Sequence, residues 1–165
     1  MSTSTAVMRV NRTSGQWKVY LKNILVTVIL GAAVGLLSRG DESFQQLTKP
    51  PLAPPAILFP IVWTILYILM GVSYSRVELV NRDDDTTKLL YWLQLIVNLL
   101  WPVAFFVLGW RVFALIWLIL LDVLVVVMLL RFYKRDRIAG LLQIPYLIWV
   151  LFATYLNLGF VVLNN

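Results

Sequence analysis

The sequence predicts an all-α integral membrane protein built as a bundle of five transmembrane helices. Three observations support this fold class. Of the 165 residues, 61% are hydrophobic and 13% are charged, whereas soluble domains average about 45–50% and about 25%. The hydrophobic residues fall into five long runs, and most Lys and Arg residues cluster in alternate connections between those runs.

The five runs are close to the length that a bilayer requires, since a helix needs roughly 20 apolar residues to cross the hydrocarbon core. Only the fourth contains a charged residue, Asp122. The runs are Asn23–Ser38, Pro50–Ser75, Leu89–Trp110, Val112–Leu130 and Ile138–Asn165. The first run is short, but the long side chains of Lys18 and Lys22 can reach the interface and extend this span back to about residue 19.

We predict one domain, residues 1–165, without internal repeats. The expected spans are about 19–38, 56–78, 89–108, 112–131 and 138–161. The longest connection, 39–55, contains Pro50, Pro51, Pro54 and Pro55. Because proline fixes φ and lacks an amide N–H, we expect a stiff loop here rather than a helix.

The basic residues predict the orientation of the chain. Eleven of the 14 lie in the N-terminal segment and the second and fourth connections, whereas Arg39, Lys49 and Arg111 lie on the other side. The positive-inside rule then places the N-terminus in the cytoplasm, and we expect a bacterial inner membrane. Basic clusters can also bind nucleic acid, but beside membrane spans we interpret them as topology signals and expect no nucleic-acid partner.

The chain contains neither cysteine nor histidine. This removes disulfides, thiolate nucleophiles, the usual zinc ligands and the commonest general base, and we expect neither a metal nor a cofactor. The acidic run in the segment Arg82–Lys88 looks like a metal site. We interpret it instead as a capped helix start, because acidic groups favour a helix N-terminus and three consecutive side chains cannot all point one way.

Three spans each have a stripe of aromatic and amide side chains at helical spacing. The stripes are Trp63, Tyr67, Met70 and Tyr74; Gln94, Asn98, Trp101 and Phe105; and Tyr146, Trp149, Ala153 and Asn157. Amides are costly against lipid, so these faces should point into the bundle. They could fill a packed core or line a cavity for a flat apolar ligand, and periodicity alone does not decide between the two.

Two further features lie inside the spans. Asp122 is an intramembrane carboxylate and therefore a candidate functional residue. No basic residue lies within the neighbouring turns, which favours an interhelical hydrogen bond over a proton relay. Gly31 and Gly35 form a close-approach motif that could contact another helix of the chain or a second subunit.

The segment "KPPLAPPAILFPIVWTILYILMG" resembles the signature of the TspO/translocator protein family, also called tryptophan-rich sensory proteins and peripheral-type benzodiazepine receptors. Its Lys-Pro, Pro-Pro, Phe, Val-Trp, Leu-Tyr and Met-Gly follow the family spacing. "NLLWPVAFF" is similar to the pattern of the family's third helix, and "IPYLIWVLFATYLN" is similar to that of its fifth helix. The three motifs occur in family order along the chain.

The resemblance implies a homodimeric five-helix bundle with a ligand cavity covered by the loop after the first helix. It implies porphyrins and isoquinoline carboxamides as ligands, with membrane lipid around the bundle. Matching positions, taken together with the stripes, predict one set of ligand-binding residues: Phe44, Pro51, Pro54, Trp63, Tyr67, Gln94, Asn98, Trp101, Phe105, Tyr146, Trp149 and Ala153.

The chain departs from the family pattern in two places. Leu52 stands where the family commonly has a tryptophan, so the loop has less aromatic surface to stack on a tetrapyrrole. The C-terminal segment "TYLNLGFVVLNN" lacks the basic residue that follows a Tyr in the animal members' cholesterol motif. We therefore expect a bacterial-type member without a dedicated cholesterol site.

Three functions compete at this point. The first is a tetrapyrrole sensor or translocator, which binds its ligand in the aromatic cavity. The second is a membrane enzyme that degrades porphyrin there by light- or oxygen-dependent chemistry, although nothing in the sequence resembles a general-base pair or a metal site. The third is a bundle without a ligand, whose stripes simply fill the core.

Overall fold

The structure, a computed structural model, describes residues 3–38, 45–80 and 84–164, with side chains from residue 15 onward. The helices are α1 (Thr3–Leu37), α2 (Leu58–Val80), α3 (Asp85–Pro102), α4 (Arg111–Arg135), α5 (Arg137–Leu142) and α6 (Ile144–Asn164). A π-helical turn, Val103–Val107, continues α3. Five segments are long and apolar enough to cross a membrane, the last formed by α5 and α6 together. The predicted fold class is confirmed.

The helices pack around a core to which α2, α3, α4 and α6 all contribute. Met70, Leu95, Met128 and Val150, one from each of these helices, are completely buried. α1 packs along α2, and α4 contacts α3, α5 and α6. Large apolar side chains such as that of Ile116 are exposed on the outside of the bundle, which is the surface that lipid would cover.

The closest approach of α1 to α2 occurs at Gly71. A Cβ atom placed on this glycine would lie 2.7 Å from Cα of Ile24 and 2.9 Å from Oγ1 of Thr27. Gly31 also packs on α2, against the ring of Tyr67, whereas no described atom lies within 4 Å of a Cβ placed on Gly35. One glycine of the predicted motif therefore contacts a helix of the same chain, and Gly71 makes a contact with helix backbone that the motif did not reveal.

The start of α3 confirms the interpretation of the acidic run as a helix cap. Asp84 precedes the helix, and its carboxylate accepts from the backbone N–H of Thr87 at 3.0 Å and from the hydroxyl of Thr87 at 2.6 Å. Arg135 pairs with the same carboxylate at 2.9 Å. The hydrogen bonds from Thr87 lower the pKa of Asp84 below its usual range, and Arg135 adds to this effect. The end of α4 is thereby tied to the start of α3.

Two prolines shape the spans in ways that hydrophobic periodicity did not reveal. Pro102 has no N–H to offer the preceding turn. The helix beyond it widens, with Leu108 N–H bonding the carbonyl of Val103 five residues back. Pro145 lies just after a break at Gln143, which separates α5 from α6. The fifth span was predicted as one helix, and this break divides it.

Asp136 lies in the connection before α5 and joins it to α2. Its carboxylate accepts two hydrogen bonds from the guanidinium of Arg76, at 3.2 and 2.8 Å, and one from the backbone N–H of Ala139 at 2.9 Å. Burial raises the pKa of Asp136, but these hydrogen bonds outweigh it and hold the pKa below its usual range.

Asp136→Asn is expected to lower the free energy of unfolding by about 2 kcal/mol at pH 7, because it removes charge-assisted hydrogen bonds and leaves Arg76 without its counter-ion. Since the carboxyl has a lower pKa in the folded state, its contribution is present above about pH 4 and is lost as the pH falls through the folded-state value. Detergent unfolding of both proteins between pH 7 and pH 3 measures this. Equal stability at pH 7, or a difference that does not shrink on acidification, would contradict the assignment.

Candidate functional site

The interior between α2, α3 and α6 contains a cluster of aromatic side chains, which we call the aromatic cluster: Trp63, Tyr67, Trp101, Phe105, Tyr146 and Trp149. Trp63 lies between two tyrosines, stacked on Tyr67 with ring centroids 5.5 Å apart and edge-on to Tyr146 at 6.3 Å. Tyr67 is 7% exposed and Tyr146 is fully buried, while Trp63 is half-buried. Trp63 is therefore the partly accessible ring among these three.

The two tyrosines are hydrogen-bonded to the two amides of α3. The hydroxyl of Tyr67 donates to Oδ1 of Asn98 at 2.9 Å, and the hydroxyl of Tyr146 donates to Oε1 of Gln94 at 2.8 Å. Gln94 and Asn98 are one turn apart on one face of α3, which is why α2 and α6 can each meet an amide there. The predicted stripes do face one another.

The aromatic cluster extends toward the π-helical turn. Trp101 stacks on Phe105 at 5.6 Å, and its indole N–H donates to Oδ1 of Asn157 at 3.2 Å. The amide nitrogen of Asn157 donates in turn to the carbonyl of Arg111 at 2.9 Å. Asn157 thus joins α6 to α3 and to the start of α4. A cavity of about 30 Å³ remains here, lined by Phe59, Trp101, Phe105, Phe106, Ala153, Leu156, Asn157 and Phe160.

This cavity has room for about one water molecule. The interior as described is filled by the interdigitated stripes, as expected for a packed core. Three buried donors of this site nevertheless have no hydrogen-bond partner: Nε2 of Gln94, Nδ2 of Asn98 and Nε1 of Trp149. An unpaired buried donor costs roughly 1–3 kcal/mol, so an acceptor group brought to these donors would lower the free energy of the site.

The proline-containing segment after α1 covers the α6 end of this interior, and we call residues 45–57 the covering loop. Pro50 is buried against Gly159, which leaves no room for a Cβ atom. The backbone N–H and C=O of Thr48 bond the side-chain amide of Asn164 at 2.8 and 3.0 Å. The hydroxyl of Tyr155 donates to the carbonyl of Pro51 at 3.1 Å. The covering loop is thus fastened to the last three turns of α6.

The predicted loop residues lie in different surroundings. Pro51 has an exposed ring and is held through its carbonyl, and Pro54 is half-buried. Phe44 lies outside the described residues. Leu52 has a left-handed φ of 65° and is 79% exposed. Its side chain therefore points away from the aromatic cluster.

The structure adds residues that were not in the predicted set. The ring of Phe59 is edge-on to that of Trp149 at 5.8 Å, and Phe59 also lines the small cavity. It precedes Trp63 by four residues and so continues the α2 stripe by one turn, a signal that periodicity offered. Asn157 belonged to the α6 stripe but not to the predicted site. Phe160 and Leu156 continue or flank the α6 stripe at helical spacing, whereas Phe106 lies off the α3 stripe and had no such signal.

Asp122 makes the interhelical hydrogen bond that the sequence favoured. The hydroxyl of Thr154 on α6 donates to Oδ2 of Asp122 on α4 at 2.8 Å. The same hydroxyl lies 3.1 Å from the carbonyl of Val150, one turn back along α6. Asp122 therefore helps to join α4 to α6.

The fold and the site define the class: an integral membrane protein whose five spans enclose paired aromatic and amide side chains beneath a proline-containing loop. The TspO/MBR family model matches residues 23–163. The chain belongs to the TspO/MBR family.

Individual relatives agree with this assignment. The tryptophan-rich sensory protein of Cereibacter sphaeroides is 34% identical over 148 residues, which cover 90% of this chain and 92% of that protein. The tryptophan-rich protein TspO of Archaeoglobus fulgidus is 38% identical over 145 residues, with 86% and 94% covered. The translocator protein of Bos taurus is 30% identical over 138 residues, with 78% and 80% covered.

Proposed function

We propose that this protein binds a tetrapyrrole in the aromatic cluster and acts as a membrane sensor or translocator of that ligand. The relatives' names, tryptophan-rich sensory protein and translocator protein, support the two halves of this proposal. The flat rings of Trp63, Tyr67 and Trp101 offer the kind of surface on which a conjugated macrocycle stacks.

The observation that carries the proposal is the set of three unpaired buried donors, Nε2 of Gln94, Nδ2 of Asn98 and Nε1 of Trp149. The acceptor oxygen of Gln94 is already used by Tyr146. A ligand entering here would therefore meet hydrogen-bond donors and should itself carry acceptors. Protoporphyrin has two carboxylates, and an isoquinoline carboxamide has an amide carbonyl, so both supply the missing group. A ligand that accepts from these donors forms hydrogen bonds that an apolar side chain filling the same space cannot form.

The covering loop controls entry in this proposal. The cavity beside Trp101 has a volume of only about 30 Å³, so a macrocycle can enter there only if the loop and some aromatic side chains move apart. The hydrogen bonds that Thr48 and Tyr155 make between the loop and α6 are exposed to solvent, so breaking them costs little free energy. Opening would break these contacts while leaving the helix packing intact.

Location and assembly complete the proposal. The distribution of basic residues supports a bacterial inner membrane with a cytoplasmic N-terminus, which puts the covering loop on the opposite side. A homodimer is the assembly that the family resemblance implies. A topology reporter fused at either end of the covering loop would show on which side of the membrane the loop lies.

Titration of the detergent-solubilised protein with protoporphyrin IX tests the function. We expect porphyrin to quench the tryptophan fluorescence, because the aromatic cluster contains three of the seven tryptophans. The quenching should saturate at one porphyrin per chain, since the proposal has one site per chain. Quenching that rises linearly without saturation would contradict the proposal.

Stopped-flow mixing in the same titration tests the covering loop. Asn164→Ala removes both hydrogen bonds to Thr48 and should raise the association rate about threefold or more, because it makes loop opening less costly by about 1 kcal/mol. Val162→Ala, which shortens an exposed side chain on the same turn of α6, is the matched control and should behave as wild type. An unchanged rate for Asn164→Ala would show that the loop does not limit entry.

A further inference from the structure

A second concavity lies at the opposite end of the bundle from the covering loop. Its volume is about 310 Å³, and it is lined by Arg131, Lys134 and Arg135 of α4. These residues have spacings of three and four, so their side chains project from one face of the last helical turns. All three are exposed.

The charge of this concavity is only partly balanced. Arg135 pairs with Asp84, whose oxygens also accept from Thr87. Among the residues that the structure describes, no carboxylate forms an ion pair with Arg131 or Lys134. Cations do stabilise a helix C-terminus, but that effect requires no concavity. The site has an excess of positive charge and the size of a small ligand pocket.

The surface next to the concavity is apolar. Going back along α4 from Arg131, the side chains of Leu130, Val127 and Val123 are 54%, 42% and 56% exposed. Val127 and Val123 lie one and two turns from Arg131 on the same helix face. α4 is a membrane-spanning segment, so the basic groups lie at its boundary and the valines lie within the bilayer. A molecule that fits both parts has an anionic head and hydrocarbon chains.

We propose that Arg131, Lys134 and Arg135 form a binding site for the headgroup phosphate of an anionic phospholipid, with its acyl chains lying along Val127 and Val123. Basic pockets beside membrane helices bind such headgroups through charge and hydrogen bonds. Arg135 is held in place by its ion pair with Asp84, and Arg131 and Lys134 supply the positive charge that this one carboxylate does not balance. This site is separate from the aromatic cluster and does not depend on the tetrapyrrole proposal.

The test uses the full chain in neutral detergent, titrated with dioleoyl phosphatidylglycerol and followed by native mass spectrometry. We expect a saturable 1:1 lipid adduct and at least tenfold weaker binding by the Arg131→Gln/Lys134→Gln protein. Arg137→Gln removes a neighbouring exposed cation outside the concavity and should bind as wild type. Arg131→Lys/Lys134→Arg preserves the charge and should also retain binding.

Three outcomes would overturn the proposal. Equal affinity for dioleoyl phosphatidylcholine would show that the headgroup charge is not recognised. Inorganic phosphate that competes at the same concentration as the lipid would show a free-anion site. Undiminished phosphatidylglycerol binding by the double glutamine variant, with its unfolding midpoint unchanged, would place the lipid elsewhere.

Discussion

Gly71→Val is expected to destabilise the bundle by about 3 kcal/mol or more. The new side chain would begin 2.7 Å from Cα of Ile24 and 2.9 Å from its backbone nitrogen. Because the obstacle is helix backbone rather than a flexible side-chain end, α1 and α2 must separate along their whole contact. Unfolding in mixed detergent micelles, followed by circular dichroism, measures the loss.

Gly35→Val is the matched control for this substitution. It places the same side chain in a membrane helix, at a site where no described atom lies within 4 Å. Its free energy of unfolding should stay within about 0.5 kcal/mol of wild type. If Gly71→Val were as stable as Gly35→Val, the packing of α1 on α2 would differ from the one described.

Trp63→Ala is expected to weaken protoporphyrin IX binding by more than tenfold, or about 1.4 kcal/mol. Trp63 contacts both Tyr67 and Tyr146 and is half-buried, so its ring is the first that an entering macrocycle would meet. Asn98→Ala should weaken binding similarly, because it releases the hydroxyl of Tyr67. Trp149→Ala removes one of the three unpaired donors. Quenching of the remaining tryptophans gives the affinities.

Trp110→Ala is the control for these variants. Trp110 is 56% exposed, and its ring contact is with Phe113 rather than with the aromatic cluster. It should leave the affinity within about twofold of wild type. If Trp63→Ala, Asn98→Ala and Trp149→Ala all bound protoporphyrin IX with unchanged affinity, the porphyrin would not bind in the aromatic cluster.

Much of the fold could be predicted because a bilayer imposes strong constraints. Length and apolarity alone mark the spans. The cost of amides in lipid correctly predicted that Gln94 and Asn98 face the interior. The run of acidic residues was correctly interpreted as a helix start because acidic groups favour a helix N-terminus, and Asp84 is the residue that caps it.

Other features depend on contacts that a single sequence does not reveal. Pro102 and Pro145 were visible, but whether a proline kinks, widens or ends a membrane helix depends on the groups that replace the lost hydrogen bond. Gly31 and Gly35 had the recognised spacing, yet the close approach to the backbone of α1 occurs at Gly71. Leu52 was expected to affect ligand stacking, and only its left-handed backbone shows that the side chain points outward.

The sequence predicted which helix faces form the candidate site, but not whether they enclose an empty volume. Periodicity placed Trp63, Asn98 and Tyr146 on inward faces, and the structure brings them together. Periodicity could not tell whether those side chains enclose space or fill it, because the packing depends on rotamers and on the separation of the helices. The stripes pack against one another with a cavity of only about 30 Å³ beside Trp101, and the unpaired donors of Gln94, Asn98 and Trp149 are the feature that points to a ligand.

A structure of the protein bound to protoporphyrin IX tests the central claim most directly. We predict macrocycle density between α2, α3 and α6, in contact with Trp63, with ligand oxygens accepting from Nε2 of Gln94 and Nε1 of Trp149, and with the covering loop displaced from Thr48 to Pro51. A complex in which the interior stays packed as described and the porphyrin lies on the outer surface of the bundle would contradict it.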